Sequence, residues 1–269
     1  MMRPTDYTAH PFGLFILHIT LLALCSSCVK YKKLVYLNEE DTGSYPKPVF
    51  PEYEIRPYDI LSIDLKSLEQ GATTYFNETT LQQNRPGGGG GQANPALFYV
   101  NGYIVTPEGN VNLPLVGEVS VAGLTTDAIE EKVSSALSSY IKFTSISVKL
   151  VNFKVSVMGE VGSPGTQYVY EKQLNLLQAI SRAGDLTEFG DRSRVKLVRE
   201  TADSVSTSYI DLRDPRLLSS NEYFLQPNDL IYVEPTRAKV FGINTRVPAF
   251  TLSLLTVGLT IVNFILNSQ

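Results

Sequence analysis

The chain has 269 residues, with 23 Lys+Arg against 27 Asp+Glu, 2 His, 2 Cys and no Trp. At 43% hydrophobic and 19% charged residues the composition is globular, neither disordered nor collagen-like, and the length suits one large domain or two modest ones. A net charge of −4, with no run of like charges, argues against a non-specific nucleic-acid binder, which needs a basic face, so no nucleic-acid partner is expected.

His10, His18 and Cys25 all lie in the first 27 residues. That stretch is laid out as a secretory signal, with Arg3 near the start, an apolar run over 12–24 that His18 interrupts, and Ser26 and Ser27 before Cys28. The apolar run is short for a membrane span. Leu-Cys-Ser-Ser-Cys at 24–28 resembles a bacterial lipobox. Cys28, preceded by a small residue, is favoured for lipidation over Cys25, which bulky Leu24 precedes. Residues 1–27 are thus expected to be a lipoprotein signal peptide, and the acyl chains on Cys28 would each contribute about 0.8 kcal/mol of membrane affinity per buried CH₂. The next residues, Val29-Lys-Tyr-Lys-Lys33, are basic and carry no acidic surface-export signal, so the N-terminus is expected to face the periplasm. Cleavage before Cys28 leaves a mature chain with no His and one Cys. Such a chain has no Ser-His-Asp triad, His general base, ordinary zinc site or internal disulfide, and neither a metal nor a cofactor is expected.

Residues 28–50 read as an extended, lipidated tether, with Pro46, Pro48 and Pro51 discouraging helix. Ile60-Leu-Ser-Ile-Asp-Leu65 is a short apolar strand with Ile63 and Leu65 on one face. Residues 67–97 form a polar insertion containing Gly87–Gly91. No Gly-Lys-Ser/Thr follows those glycines, so they read as a flexible loop and not as a phosphate cradle. Strands are predicted over 97–105 and 111–116, with a turn at Pro107-Glu-Gly109 and further punctuation at Gly117 and Gly123. Thr125 or Thr126 caps a helix to about 140 whose Ile129, Val133, Ala136, Leu137 and Ile141 make one apolar face. A strand follows over 146–151. A second β-plus-helix unit opens with alternating Phe153, Val155 and Val157. It continues with a strand over 167–170 and a helix over 174–182 with Leu176, Leu177 and Ile180 inward. That helix stops at Gly184 in a left-handed cap. Strands over 195–199, 208–212 and 230–233 complete an α+β chain of two small tandem β-rich units.

Tyr53-Glu-Ile-Arg-Pro-Tyr-Asp-Ile-Leu-Ser-Ile63, the block 99–119 with Gly-Asn-Val-Asn-Leu-Pro-Leu-Val-Gly117, and Val121-Ala-Gly-Leu-Thr125 resemble the polysaccharide biosynthesis/export domain. Val155-Ser-Val-Met-Gly-Glu-Val161, Pro164-Gly165, residues 174–184 and Leu225-Gln-Pro-Asn-Asp-Leu-Ile-Tyr-Val233 resemble an SLBB domain, a soluble ligand-binding β-grasp fold. Asp185 departs from the pattern, where the family often has a second glycine. The resemblance covers about residues 51–235, in order. It divides the chain into an export domain over 51–151, with the Gly-rich insertion 67–97, and an SLBB domain over 152–235. It is to the Wza-type outer-membrane polysaccharide export lipoproteins, and it implies a ring-forming channel subunit, not an enzyme. It further implies polysaccharide in transit, a polysaccharide co-polymerase of the inner membrane as partner, and the outer membrane of a Gram-negative bacterium as location, with the bulk of the chain periplasmic.

Residues 247–269 carry no charge. Within an expected amphipathic membrane helix over 240–267, Pro248 to Asn267 would be about 30 Å long, the thickness of a hydrocarbon core. Ser253, Thr256, Thr260, Asn263 and Asn267 follow 3-4-3-4 spacing and share one stripe, while Leu252, Leu255, Leu259, Val262 and Leu266 lie elsewhere. In a ring of such helices the stripe would turn onto water and line a pore. The same stripe also suits hydrogen bonding between helices of a small bundle, or packing on the soluble units. A membrane-anchored glycan- or partner-binding module without a pore is the alternative function. An enzyme with paired carboxylates at Asp59 and Asp64, or at Glu118 and Glu160, has no spacing to recommend it. Asn77-Glu-Thr79 and Asp203-Ser204-Val205 fit glycosylation patterns that arise often by chance.

Overall fold

The computed structural model describes residues 34–38, 44–67, 99–141, 144–201 and 203–244, and the helical positions 253, 254, 256–258, 260 and 261. The first unit is built on strand β1 (Ile60–Ser67), which pairs antiparallel with the short β2 (Tyr103–Ile104) and along its length with β5 (Thr144–Leu150). Period-2 alternation sends Leu61, Ile63 and Leu65 into the core and leaves Ser62 and Asp64 on the opposite face. Helix α1 (Thr126–Leu137) covers the core face with Ile129, Val133 and Leu137, all fully buried. The Thr125 hydroxyl caps it, accepting from the Ala128 N–H at 3.2 Å. Glu130 reaches from α1 to accept from the Val148 N–H at 2.8 Å, which occupies a donor on the free edge of β5.

The expected strand over 97–105 is mostly absent. Positions 99–101 are helical, and only Tyr103–Ile104 pair with β1. Tyr99 and Val100 are exposed, and among the described residues their β-propensity finds no partner strand. The expected strand over 111–116 is instead a hairpin of β3 (Asn110–Leu113) and β4 (Gly117–Ser120). Leu115 at φ 68° and Gly117 at φ 78° turn the chain between them.

The second unit is a five-stranded sheet, β7-β6-β10-β8-β9, of β6 (Lys154–Gly159), β7 (Gly165–Tyr168), β8 (Gly190–Glu200), β9 (Val205–Ile210) and β10 (Leu230–Pro235). The central β6/β10 pair is parallel and the others are antiparallel. Helix α2 (Leu176–Arg182) packs Leu176, Ala179 and Ile180 on one face of the sheet. Asn175 and Gln178 form a reciprocal capping box at its start. At its end Gly184 takes φ 76°, and Asp185 follows at φ 64°. The second left-handed residue is the physical reason that a glycine suits position 185. Asp185 holds the conformation by accepting from the Leu186 N–H at 2.6 Å.

One turn is used twice. Arg56-Pro57-Tyr58-Asp59 leads into β1, and Gln226-Pro227-Asn228-Asp229 leads into β10. In each, proline presets the second position, and the third is left-handed (Tyr58 φ 70°, Asn228 φ 67°), as in a type II turn. The aspartate N–H donates back to the first carbonyl, at 3.1 Å in one and 3.2 Å in the other. Its carboxylate accepts from the first residue's N–H, at 2.8 Å in both. The third residue's N–H bonds a neighbouring segment, Tyr58 to the Val105 carbonyl and Asn228 to the Lys154 carbonyl.

The expected tether is docked where it is described. Leu37 and Asn38 donate to the Leu212 and Arg213 carbonyls, the Tyr36 hydroxyl donates to Asp185, and the Arg192 guanidinium lies over the Tyr36 ring. At the other end, helix α3 (Arg237–Asn244) is held to the second unit by a Lys239–Glu160 ion pair and by the Thr236 N–H on the Phe189 carbonyl.

Candidate functional site

A cleft of about 710 Å³ opens between the two units. The first unit contributes the outer face of its sheet through Ser62, Asp64 and Lys149, with Tyr53, Tyr103 and the start of α1 at Thr125–Asp127. The second contributes the β7–α2 loop, Tyr170 to Gln173, and the turn Leu225–Pro227. Lys172 and Asp127 pair across the mouth at 3.7 Å, both well exposed. The Arg56 guanidinium also joins the units, donating to the Glu200 carbonyl at 2.8 Å, and Phe50 packs edge-on against Phe224.

The lining is mostly apolar, aromatic and aliphatic, with polar groups set among these side chains. Burial, with the Asp64 charge adding, pushes the Tyr103 phenol above its ordinary range, and burial with Asp59 does the same for Tyr53. Both phenols therefore stay protonated donors. Ser62 donates to Asp64 at 3.4 Å, and Glu171 is tied to Arg182 at 2.9 Å. Such convergent polar groups among aromatic rings, in a cleft of this size, are the usual form of a small-ligand site.

The nominated carboxylates do other work. Asp59 is buried and accepts from the Arg56 N–H and from the Tyr53 hydroxyl at 3.0 Å, although burial still pushes its carboxyl above the ordinary range. Glu160 pairs with Lys239 and accepts from Thr187 at 2.9 Å. Glu118 lies on β4 in the first unit, whereas Glu160 belongs to the second. Ser204 closes a tight turn with Thr201 between β8 and β9, its N–H donating to Thr201 Oγ1 at 3.2 Å.

Of the expected pore positions, Ser253, Thr256 and Thr260 are helical and exposed. Thr256 donates to the Ser253 carbonyl, and Thr260 to the carbonyls of Thr256 and Val257, each at 2.8 Å. Threonines bonded back to their own helix satisfy their donors without water, so the stripe by itself does not require a lumen. Asn263, Asn267, Cys28, Asn77, the signal 1–27 and residues 68–97 of the insertion lie outside the described residues. No helix among the described residues is long and apolar enough to cross a membrane. The expected span over 240–267 falls largely on residues outside that set.

Two consecutive α+β units joined across a cleft define the class. Residues 47–151 match the family described as polysaccharide biosynthesis/export protein, and residues 153–233 match the SLBB domain. The chain thus carries a polysaccharide biosynthesis/export domain followed by an SLBB domain. It is 33% identical over 104 residues to the EPS I polysaccharide export outer membrane protein EpsA of Ralstonia nicotianae, covering 37% of this chain and 27% of that one. It is 28% identical over 151 residues to EpsA of Ralstonia solanacearum, covering 53% of this chain and 38% of that one. It is 33% identical over 88 residues to the exopolysaccharide production protein ExoF of Rhizobium meliloti, covering 31% of this chain and 21% of that one. The matches thus span well under half of each relative's length.

Proposed function

We propose that the chain is a subunit of an oligomeric outer-membrane channel that exports capsular or exopolysaccharide from the periplasm. The observation that carries this reading is the ordered pair of matches, export domain then SLBB domain, together with the similarity to proteins named for polysaccharide export. In this reading Cys28 is lipidated after removal of 1–27, and the C-terminal helices of a ring associate into a helical barrel. Ser253, Thr256, Thr260, Asn263 and Asn267 face its lumen. Transport is passive, with hydroxyl and amide groups exchanging hydrogen bonds with sugar hydroxyls. An inner-membrane co-polymerase docks on the periplasmic side. The role is transport and not catalysis.

Removal of residues 240–269 tests this. Export is lost while the two units stay folded, and conductance of the purified protein in a planar bilayer is lost with it. Export that survives the truncation overturns the pore. Palmitate labelling that survives Cys28→Ala overturns the lipid site. The cleft and the back-bonded threonines favour a second reading, a membrane-anchored glycan-binding module, in which the intact protein conducts nothing and runs as a monomer or dimer.

A further inference from the structure

The cleft carries a ligand assignment that the channel reading does not use. Its rings are spread over both walls. Tyr53 and Tyr103 lie on the first unit, and Tyr170, more than half exposed, lies on the second. Aromatic faces accept the C–H faces of a pyranose, while amides, hydroxyls and carboxylates take its hydroxyl groups. Amide and acid groups are present on both walls, with Asp64 and Asn101 opposite Gln173 and Gln226.

The charge balance narrows the class. The lining has four carboxylates, Glu52, Asp64, Asp127 and Glu171, against two ammonium groups, Lys149 and Lys172. Lys172 is paired with Asp127, and Glu171 with Arg182 from outside the cleft. Glu52 and Asp64 then face Lys149, an acidic remainder that repels a polyanion. A cleft lined from one unit to the other suits a chain laid along it, not a single enclosed sugar.

We infer that the cleft between the two units binds a segment of neutral glycan chain, with Tyr170 and Gln173 as contacts on the second wall and the Lys172–Asp127 pair as a latch at the mouth. The inference rests on the polysaccharide-handling reading. The ion pair is exposed and therefore weak, so a bound chain can displace it at little cost.

The test uses the full chain in detergent, titrated calorimetrically with cellohexaose, maltohexaose and β-1,4-mannohexaose, and with hexagalacturonate as the anionic counterpart. At least one neutral hexamer binds, and Tyr170→Ala and Gln173→Ala each weaken it about fivefold. Both residues are exposed, so folding is preserved, and circular dichroism checks this. Hexagalacturonate binds about fivefold more weakly than the best neutral hexamer, the effect of one net like charge near the surface. The inference is overturned if no neutral hexamer binds, if the cleft variants bind as well as the parent, or if the uronate binds equally. A second copy of the chain seated in the cleft would appear as an oligomer that Tyr170→Ala breaks, and this also overturns it. Export measured in a strain lacking the gene separates the two readings. Normal export with no glycan binding sinks only the cleft assignment, whereas failure of the parent chain to restore export sinks the channel.

Discussion

At the scale of single residues, the two aspartates that end the paired turns matter most. Asp229 is fully buried and takes a two-pronged bond from Arg199, with Nη2 at 2.7 Å and Nε at 3.0 Å, together with the Gln226 N–H. Arg199 uses the same nitrogen to hold the Phe224 carbonyl at 3.0 Å. Removing one member of a buried ion pair strands the other, at a cost of about 3–5 kcal/mol. Asp229→Ala is therefore expected to lower the stability of the second unit by that order, read as a shift in the urea midpoint. A change below about 1 kcal/mol would mean that the pair adds no net stability there. Both turns stand within motifs quoted from the sequence. Their shared Pro-x-Asp pattern ahead of an apolar strand is the signal that reveals the aspartates as turn locks and removes Asp59 from any acid–base role.

At the scale of elements, two junctions are open to test. Gly159 ends β6 at φ 91°, and a Cβ there would lie 2.1 Å from the Val233 carbonyl oxygen of the parallel neighbour β10. Gly123 has φ 76° but nothing within 4 Å. Gly123→Ala is expected to cost only the left-handed backbone penalty, about 1–2 kcal/mol. Gly159→Ala must also push two paired strands apart, and soluble yield and melting temperature are expected to fall much further than for Gly123→Ala. The second junction is α3. The bond from Lys239, with Thr187 adding, holds the Glu160 carboxyl below its ordinary 4.5. The folded state therefore binds that proton less tightly than the unfolded chain does. The stabilisation is complete above pH 4.5 and is lost as the pH falls through the lower folded value. Protection of the α3 amides, the exchange rate relative to the intrinsic rate at each pH, is expected to fall over that acid range, and Glu160→Gln is expected to remove that fall.

At the scale of the whole molecule, each unit has its own core. One draws on Ile55 to Val148 and the other on Phe153 to Val233, with Leu150 packed against both. The direct bonds between them include one Arg56–carbonyl bond, one exposed ion pair and an edge-on Phe pair. A fragment of residues 152–236 is therefore expected to fold alone, with a cooperative melt and dispersed amide resonances. A molten fragment would show that the first unit is needed to complete the second core.

Periodicity and caps determined most of the elements without the fold. The alternation in 60–65, the apolar face of Ile129, Val133 and Leu137, and the cap at Gly184 are local, set by backbone geometry and by the side a residue shows to its neighbours. The order of motifs likewise determined the family. What failed was set at a distance. Tyr99 and Val100 have strand propensity but no partner strand among the described residues, Leu115 turns a hairpin that its apolar character hides, and β8 is longer than its apolar stretch because β9 and β10 pair along it. The cleft belongs to neither unit's local pattern. Asp64, Tyr103, Tyr170 and Gln226 are far apart in the chain, and only the packing of one folded unit against the other brings their side chains around one space.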